Sequence, residues 1–175
     1  MNDITVSYRF TPTELSALLQ ASGLGALPGA PLYPVEGEAA QAALKQIVEK
    51  EMALVVDGTV CLDRLIDCLL RSAAGCDNAL VITDSRRTVV LWQAEKLFVL
   101  GDFPEAGECS LTPLQDLAMA TDALSDALVH MPRPLWAMNA FHVDRHLSVP
   151  ADDGHSPLEI ARAAVVLLDR SVPEG

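Results

Sequence analysis

ALVITDSRRTVVLWQAEKLFVL, residues 79–100, is the stretch on which the fold turns. Three short runs rich in β-branched and aromatic side chains stand in it: Ala79 to Thr83, Thr88 to Gln93 and Lys96 to Leu100. Asp84-Ser85-Arg86-Arg87 and Ala94-Glu95 separate them as turns. Such spacing predicts an antiparallel meander. A short Cys109-Ser110-Leu111 run is a candidate fourth strand. Upstream, Ile4, Val6, Tyr8 and Phe10 alternate with Thr5, Ser7 and Arg9, the period of a half-buried strand.

Helical periods surround the meander. Thr11-Pro12-Thr13-Glu14 carries a cap, a first-turn proline and a carboxylate placed to reach back, so it opens a helix near 12–22. Leu15, Leu18 and Leu19 form its apolar stripe. A second helix is expected near 37–51, with Ala40, Ala43, Leu44, Ile47 and Val48 inward. Met52 to Val56, Asp57-Gly58 and Thr59 to Cys61 read as a tight hairpin. A third helix is expected at 62–74, with Leu62, Leu65, Ile66, Leu69, Leu70 and Ala73 on one face. Thr112-Pro113-Leu114-Gln115 repeats the start signal and predicts a helix near 113–130. Met131-Pro132-Arg133-Pro134 breaks it, and Leu135 to Leu147 reads extended. Ser156-Pro157-Leu158-Glu159 opens a last helix near 157–170. The expectation is a single α+β domain over 1–175, with a core at 1–130 and a C-terminal extension at 131–175. Its sheet is mainly antiparallel, of five to six strands, with five helices packed on it.

Composition narrows the function. With 24 acidic against 12 basic side chains, the chain offers no basic track to a polyphosphate or an anionic membrane. Half its residues are apolar, which excludes global disorder. The longest uncharged run, Leu15 to Val35, is interrupted by Gly23, Gly25, Gly29, Pro28, Pro31 and Pro34, so no membrane span is expected. No basic region leads into an apolar stretch at the N-terminus, and the four cysteines form no C-x-x-C pair. A cytoplasmic protein with reduced thiols is expected.

Residues 8 to about 130 resemble the EspG-type chaperones of type VII (ESX) secretion. The features are a strand, then Phe10-Thr11-Pro12-Thr13-Glu14-Leu15 opening a helix that ends in Gly23-Leu24-Gly25-Ala26-Leu27-Pro28. An Ala-rich helix then runs into Met52-Ala53-Leu54-Val55-Val56-Asp57-Gly58, followed by the Leu62 to Leu70 helix and the meander. The family's usual chain is longer, built of two related halves, and this chain resembles about one half plus an extra strand and helix. The resemblance implies an α+β fold, no catalysis, and capture of an apolar segment on a secretion substrate so that it stays soluble.

Three function classes follow. The first is a non-catalytic binding protein. Its contact surface would be the uncharged loop Gly23 to Pro34, through Leu24, Leu27, Leu32 and Tyr33, and its partner a protein, such as a secreted helical substrate. The second is a self-associating structural or regulatory module, a homodimer through the meander edge or the last helix. The third is a metal binder or enzyme built on His142, Asp144 and His146, which two-residue spacing would set on one strand face. That set is incomplete, so no metal and no cofactor are expected. No G-x-x-x-x-G-K nucleotide cradle occurs. From Leu97 to Pro132 there is no Lys or Arg, while Asp102, Glu105, Glu108, Asp116, Asp122 and Asp126 all occur. That stretch is expected to present a negative surface, either for solubility or for docking a basic partner.

Overall fold

The computed structural model describes residues 6–95, 97–131, 137–142, 145–150 and 156–170. Its described residues form a seven-stranded antiparallel sheet, a separate two-stranded hairpin and five helices. Strand β1 (Tyr8–Phe10) leads to α1 (Pro12–Ala21) and α2 (Gly37–Glu49). The hairpin β2 (Ala53–Val56) and β3 (Thr59–Leu62) precedes α3 (Arg64–Ala74). The meander follows: β4 (Asn78–Thr83), β5 (Arg87–Ala94), β6 (Leu97–Pro104) and β7 (Cys109–Leu114). Then come α4 (Leu117–Val129), β8 (Ala137–His142), β9 (Arg145–Pro150) and α5 (Pro157–Arg170). The sheet order is β1-β7-β6-β5-β4-β8-β9. The α+β class and five helices agree with the sequence. The strand count exceeds the expectation because the extended run after Pro134 is a hairpin, and its first strand extends the sheet beside β4.

Helices cover both faces of the sheet. One core joins Ala79, Val81, Val90, Trp92, Val99 and Phe103 to α1, α2 and α3. The other joins Leu80, Ile82, Val89, Leu91, Phe98 and Leu100 to α4 and α5. This is why β4 and β5 carry unbroken apolar runs instead of strict alternation: each residue has a dry face to point at.

Local chemistry sets most boundaries. The Thr11 hydroxyl accepts from Glu14 N at 3.2 Å, and Glu14 Oε2 accepts from Thr11 N at 2.8 Å, a reciprocal cap. Asp57 and Gly58 both have positive φ, 50° and 78°, the geometry of the tight hairpin turn. Leu62 ends β3 instead of starting a helix. Asp63 Oδ1 accepts from Leu65 N at 2.9 Å, so α3 begins at Arg64, two residues later than expected, and Leu65 faces solvent. β1 is also shorter than the alternation suggested: Val6 is exposed, and Ile4 lies outside the described residues.

One predicted helix start is wrong. Thr112, Pro113 and Leu114 belong to β7, opposite Leu100, Val99 and Phe98. Helix α4 starts only at Leu117, capped by Asp116, whose Oδ1 accepts from Met119 N at 2.8 Å. β1 covers β7 only at residues 109–111, so Pro113 sits where the outer side of the strand needs no N–H donor.

Glu14 also carries a buried ion pair. Its side chain is 1% exposed, and Lys50 Nζ, just past the C-terminus of α2, reaches its Oε1 at 2.7 Å. Glu14→Ala removes the reciprocal cap and this tie between α1 and α2. It is expected to lower stability by about 2 kcal/mol, the upper end for a lost cap. A shift in urea midpoint at constant slope is the measurement. A midpoint equal to wild type would show that the pair contributes nothing net.

Candidate partner-binding surface

The Gly23 to Pro34 loop is built onto the helix that precedes it. Gly23, at φ 70°, ends α1, with Leu24 N bonded back to Leu19 O at 2.8 Å. Pro28 and Gly29 then form a turn closed by Ala30 N on Leu27 O at 3.1 Å. Gly29 takes φ 75°, as the third position of such a turn requires. The Trp92 indole N–H donates to Pro28 O at 2.7 Å, pinning the turn to the sheet. Along the return path, the Ser16 hydroxyl donates to Tyr33 O, and Gln20 Nε2 donates to Val35 O at 2.8 Å.

The four loop residues singled out by sequence therefore separate. Leu27 is 3% exposed and belongs to the core. Leu24 and Tyr33 pack against that core and are half-buried. Leu32 is 70% exposed. Between the loop and α1 lies a groove of about 240 Å³, lined by Leu15, Leu19, Leu27, Pro31, Leu32 and Tyr33. Burial raises the pKa of the Tyr33 phenol above its ordinary value, so it stays a neutral hydroxyl.

A second exposed apolar feature escaped the sequence reading. Leu54, Val55 and Val56 on β2 are 67%, 57% and 52% exposed. A run of three apolar strand residues normally signals burial. The available clue was that a two-stranded hairpin has too few neighbours to bury them.

The acidic stretch is put to mixed use. Arg87 makes a two-pronged pair with Asp102, Nε to Oδ1 at 2.6 Å, and this bond holds the guanidinium pKa above its ordinary value. Asp116 caps α4. Asp122 and Asp126 are exposed and border a polar depression of about 510 Å³ between α4 and the β5–β7 end of the sheet.

The histidine set does not form as spaced. His142 ends β8 and His146 lies in β9, with Asp144 outside the described residues. The register pairs His142 with Arg145 and His146 with Phe141. The two histidines thus stand on two strands at adjacent rungs, instead of four residues apart on one strand. Among the described residues, no three of His, Cys, Asp and Glu gather as a metal-binding group. Burial pushes the Cys109 thiol up to about 11, and it donates to Phe10 O at 3.2 Å. Cys76, half-buried, is likewise pushed up to about 11. Among the described residues, no helix is long and apolar enough to cross a membrane.

No family model matches the sequence, and no curated protein does. A solved structure does match in fold. It is titled as the Mycobacterium tuberculosis type VII secretion system chaperone EspG5 in complex with the PE25–PPE41 dimer. The TM-score is 0.63 at 11% identity, over 97% of this chain and 98% of the solved one. At that identity the likeness shows the fold alone. It runs over nearly the whole of both chains, where the sequence reading had expected about half of a longer one.

Proposed function

We propose that this chain is a non-catalytic, cytoplasmic chaperone or adaptor that covers an apolar, helical segment of a secreted protein. The observation that carries the reading is the groove between α1 and the uncharged loop. Its floor is core, its rim is Leu32 and Tyr33, and its backbone is held at both ends by Trp92, Ser16 and Gln20. A loop anchored in this way loses little further freedom on binding, so apolar burial is not offset by ordering. The fold shared with a type VII secretion chaperone supports the same reading. Exposed carboxylates such as Asp122 and Asp126 would speed encounter with a basic partner more than they raise affinity.

The test is affinity capture from the source cell's extract, followed by titration of the retained partner against variants. Leu32→Glu and Tyr33→Ser are each expected to weaken binding by more than about tenfold, roughly 1.4 kcal/mol; the exposed Leu32 variant keeps its melting temperature, and the Tyr33 variant loses part of its core packing and melts somewhat lower. Leu27→Ser is expected to lower the melting temperature, because Leu27 is core. Full-strength binding by both rim variants would remove the groove from the proposal.

A further inference from the structure

We propose that the free edge of β2 takes up an extended, apolar, lysine- or arginine-flanked segment of a partner protein as a third strand. This surface is separate from the α1–loop groove and does not rest on it. The hairpin pairs Leu54 with Cys61, Val55 with Val60 and Val56 with Thr59 around a two-residue turn. In such a hairpin the residues flanking the turn exchange both ladder bonds, and the pattern repeats every second residue. Val56, Leu54 and Met52 therefore bond inward, as Asp63 N on Met52 O at 2.8 Å bears out. The N–H and C=O groups of Val55 and Ala53 point away from β3; Ala53 is buried in the core, so the accessible pair is that of Val55. Among the described residues, neither bonds to anything beyond the hairpin. An exposed, unpaired donor and acceptor on one strand edge are met by an extended backbone, whose own N–H and C=O are free, and not by a helix.

The side chains agree. Leu54 and Val56 stand on one face of the hairpin and Val55 on the other, and all three are more than half exposed. A strand laid along β2 gains neighbours on both faces. Edge strands left open in solution are normally guarded by a lysine, a proline or a bulge. β2 has none of these.

Charge decides between a partner and a second copy. Glu51 and Asp57 flank β2 at its two ends and form no ion pair among the described residues. The nearby Lys45 and Lys50 are engaged by Glu49 and Glu14. Antiparallel pairing of two β2 strands would bring Asp57 of one copy toward Glu51 of the other, a like-charge contact. A partner strand with basic residues at its ends meets opposite charge at both.

The probe is a nine-residue peptide alternating valine and threonine between paired lysines. Its controls are the same peptide with paired glutamates, and the lysine peptide N-methylated at alternate residues. Amide resonances of the full chain are followed during titration. Saturable shifts centred on Ala53 to Val56 are expected for the lysine peptide, at least tenfold weaker binding for the glutamate one, and none for the methylated one. Val55→Pro removes an outward N–H that β3 does not use and is expected to abolish binding without unfolding the chain. Leu32→Glu is expected to bind as wild type, which separates this surface from the groove. Equal binding of the methylated and unmethylated peptides, or no shifts at millimolar peptide, would overturn strand addition. So would a concentration-dependent dimer lost in Val55→Pro, which would make a second copy the occupant.

Discussion

Trp92→Ala is expected to be the most damaging single truncation in the molecule, at about 3–5 kcal/mol. Trp92 is fully buried and meets Phe103 edge-on, with centroids 6.1 Å apart and planes at 81°. The space for this pair comes from Gly101, where an added Cβ would lie 2.5 Å from the Trp92 ring and 2.6 Å from Phe103. Truncation leaves a ring-sized cavity between sheet and helices, and it removes the N–H that holds Pro28 O. Trp92→Phe separates the two effects. It keeps most of the bulk and leaves the Pro28 carbonyl unpaired, for an expected loss of about 1–2 kcal/mol. Urea midpoints measure both. Amide exchange of the Gly23–Pro34 loop should accelerate in the phenylalanine variant while the sheet stays protected. A loss below about 1 kcal/mol for the alanine variant would contradict the packing described.

Gly29→Ala is expected to cost about 2–4 kcal/mol, a large effect for one added methyl. Two terms combine. At φ 75° a side chain adds roughly 1–2 kcal/mol of backbone strain. In addition, the new Cβ would overlap Val81 Cγ2 on the sheet, an overpacking term of about 1–3 kcal/mol. Adding Val81→Ala removes that methyl. The double variant should therefore lose less than the sum of the single losses, by about 1 kcal/mol or more. Simple additivity would mean that the turn does not press on Val81.

The meander was legible because its runs are short, β-rich and divided by turns that no other element needs. The caps at Thr11 and Ser156 were legible because the carboxylate that reaches back lies three residues on, as Ser156 N on Glu159 Oε2 at 2.8 Å shows. Thr112-Pro113 carries the same opening letters, yet pairing with Val99 and Leu100 outweighs it, and no local signal reports a ladder. The loop's apolar composition announced importance but not which residues face out. That division depends on Trp92, a donor 64 residues away from Pro28. The hairpin of β2 and β3 was legible from Asp57-Gly58, but the exposure of its apolar run was not: among the described residues β2 pairs with β3 alone, which leaves Leu54, Val55 and Val56 in solvent. His142 and His146 fall on two strands, and no glycine or proline between them in the sequence marks the change.

The strand order has a consequence for how the molecule assembles in time. β4, β5, β6 and β7 are neighbours in both sequence and sheet, so they close short loops and can form early. β1 must wait. Phe10 and Cys109 are 99 residues apart, and every contact between β1 and β7 carries the entropy of closing that loop. During synthesis from the N-terminus, the α1 and loop residues that rest on Trp92 emerge long before the strand that holds it. Until about residue 111 has left the ribosome, Phe10, Leu15 and Leu27 have no sheet to cover them. The nascent first half is thus a sticky chain that depends on rapid closure of the meander, and slowing translation after β3 would lengthen that exposed interval.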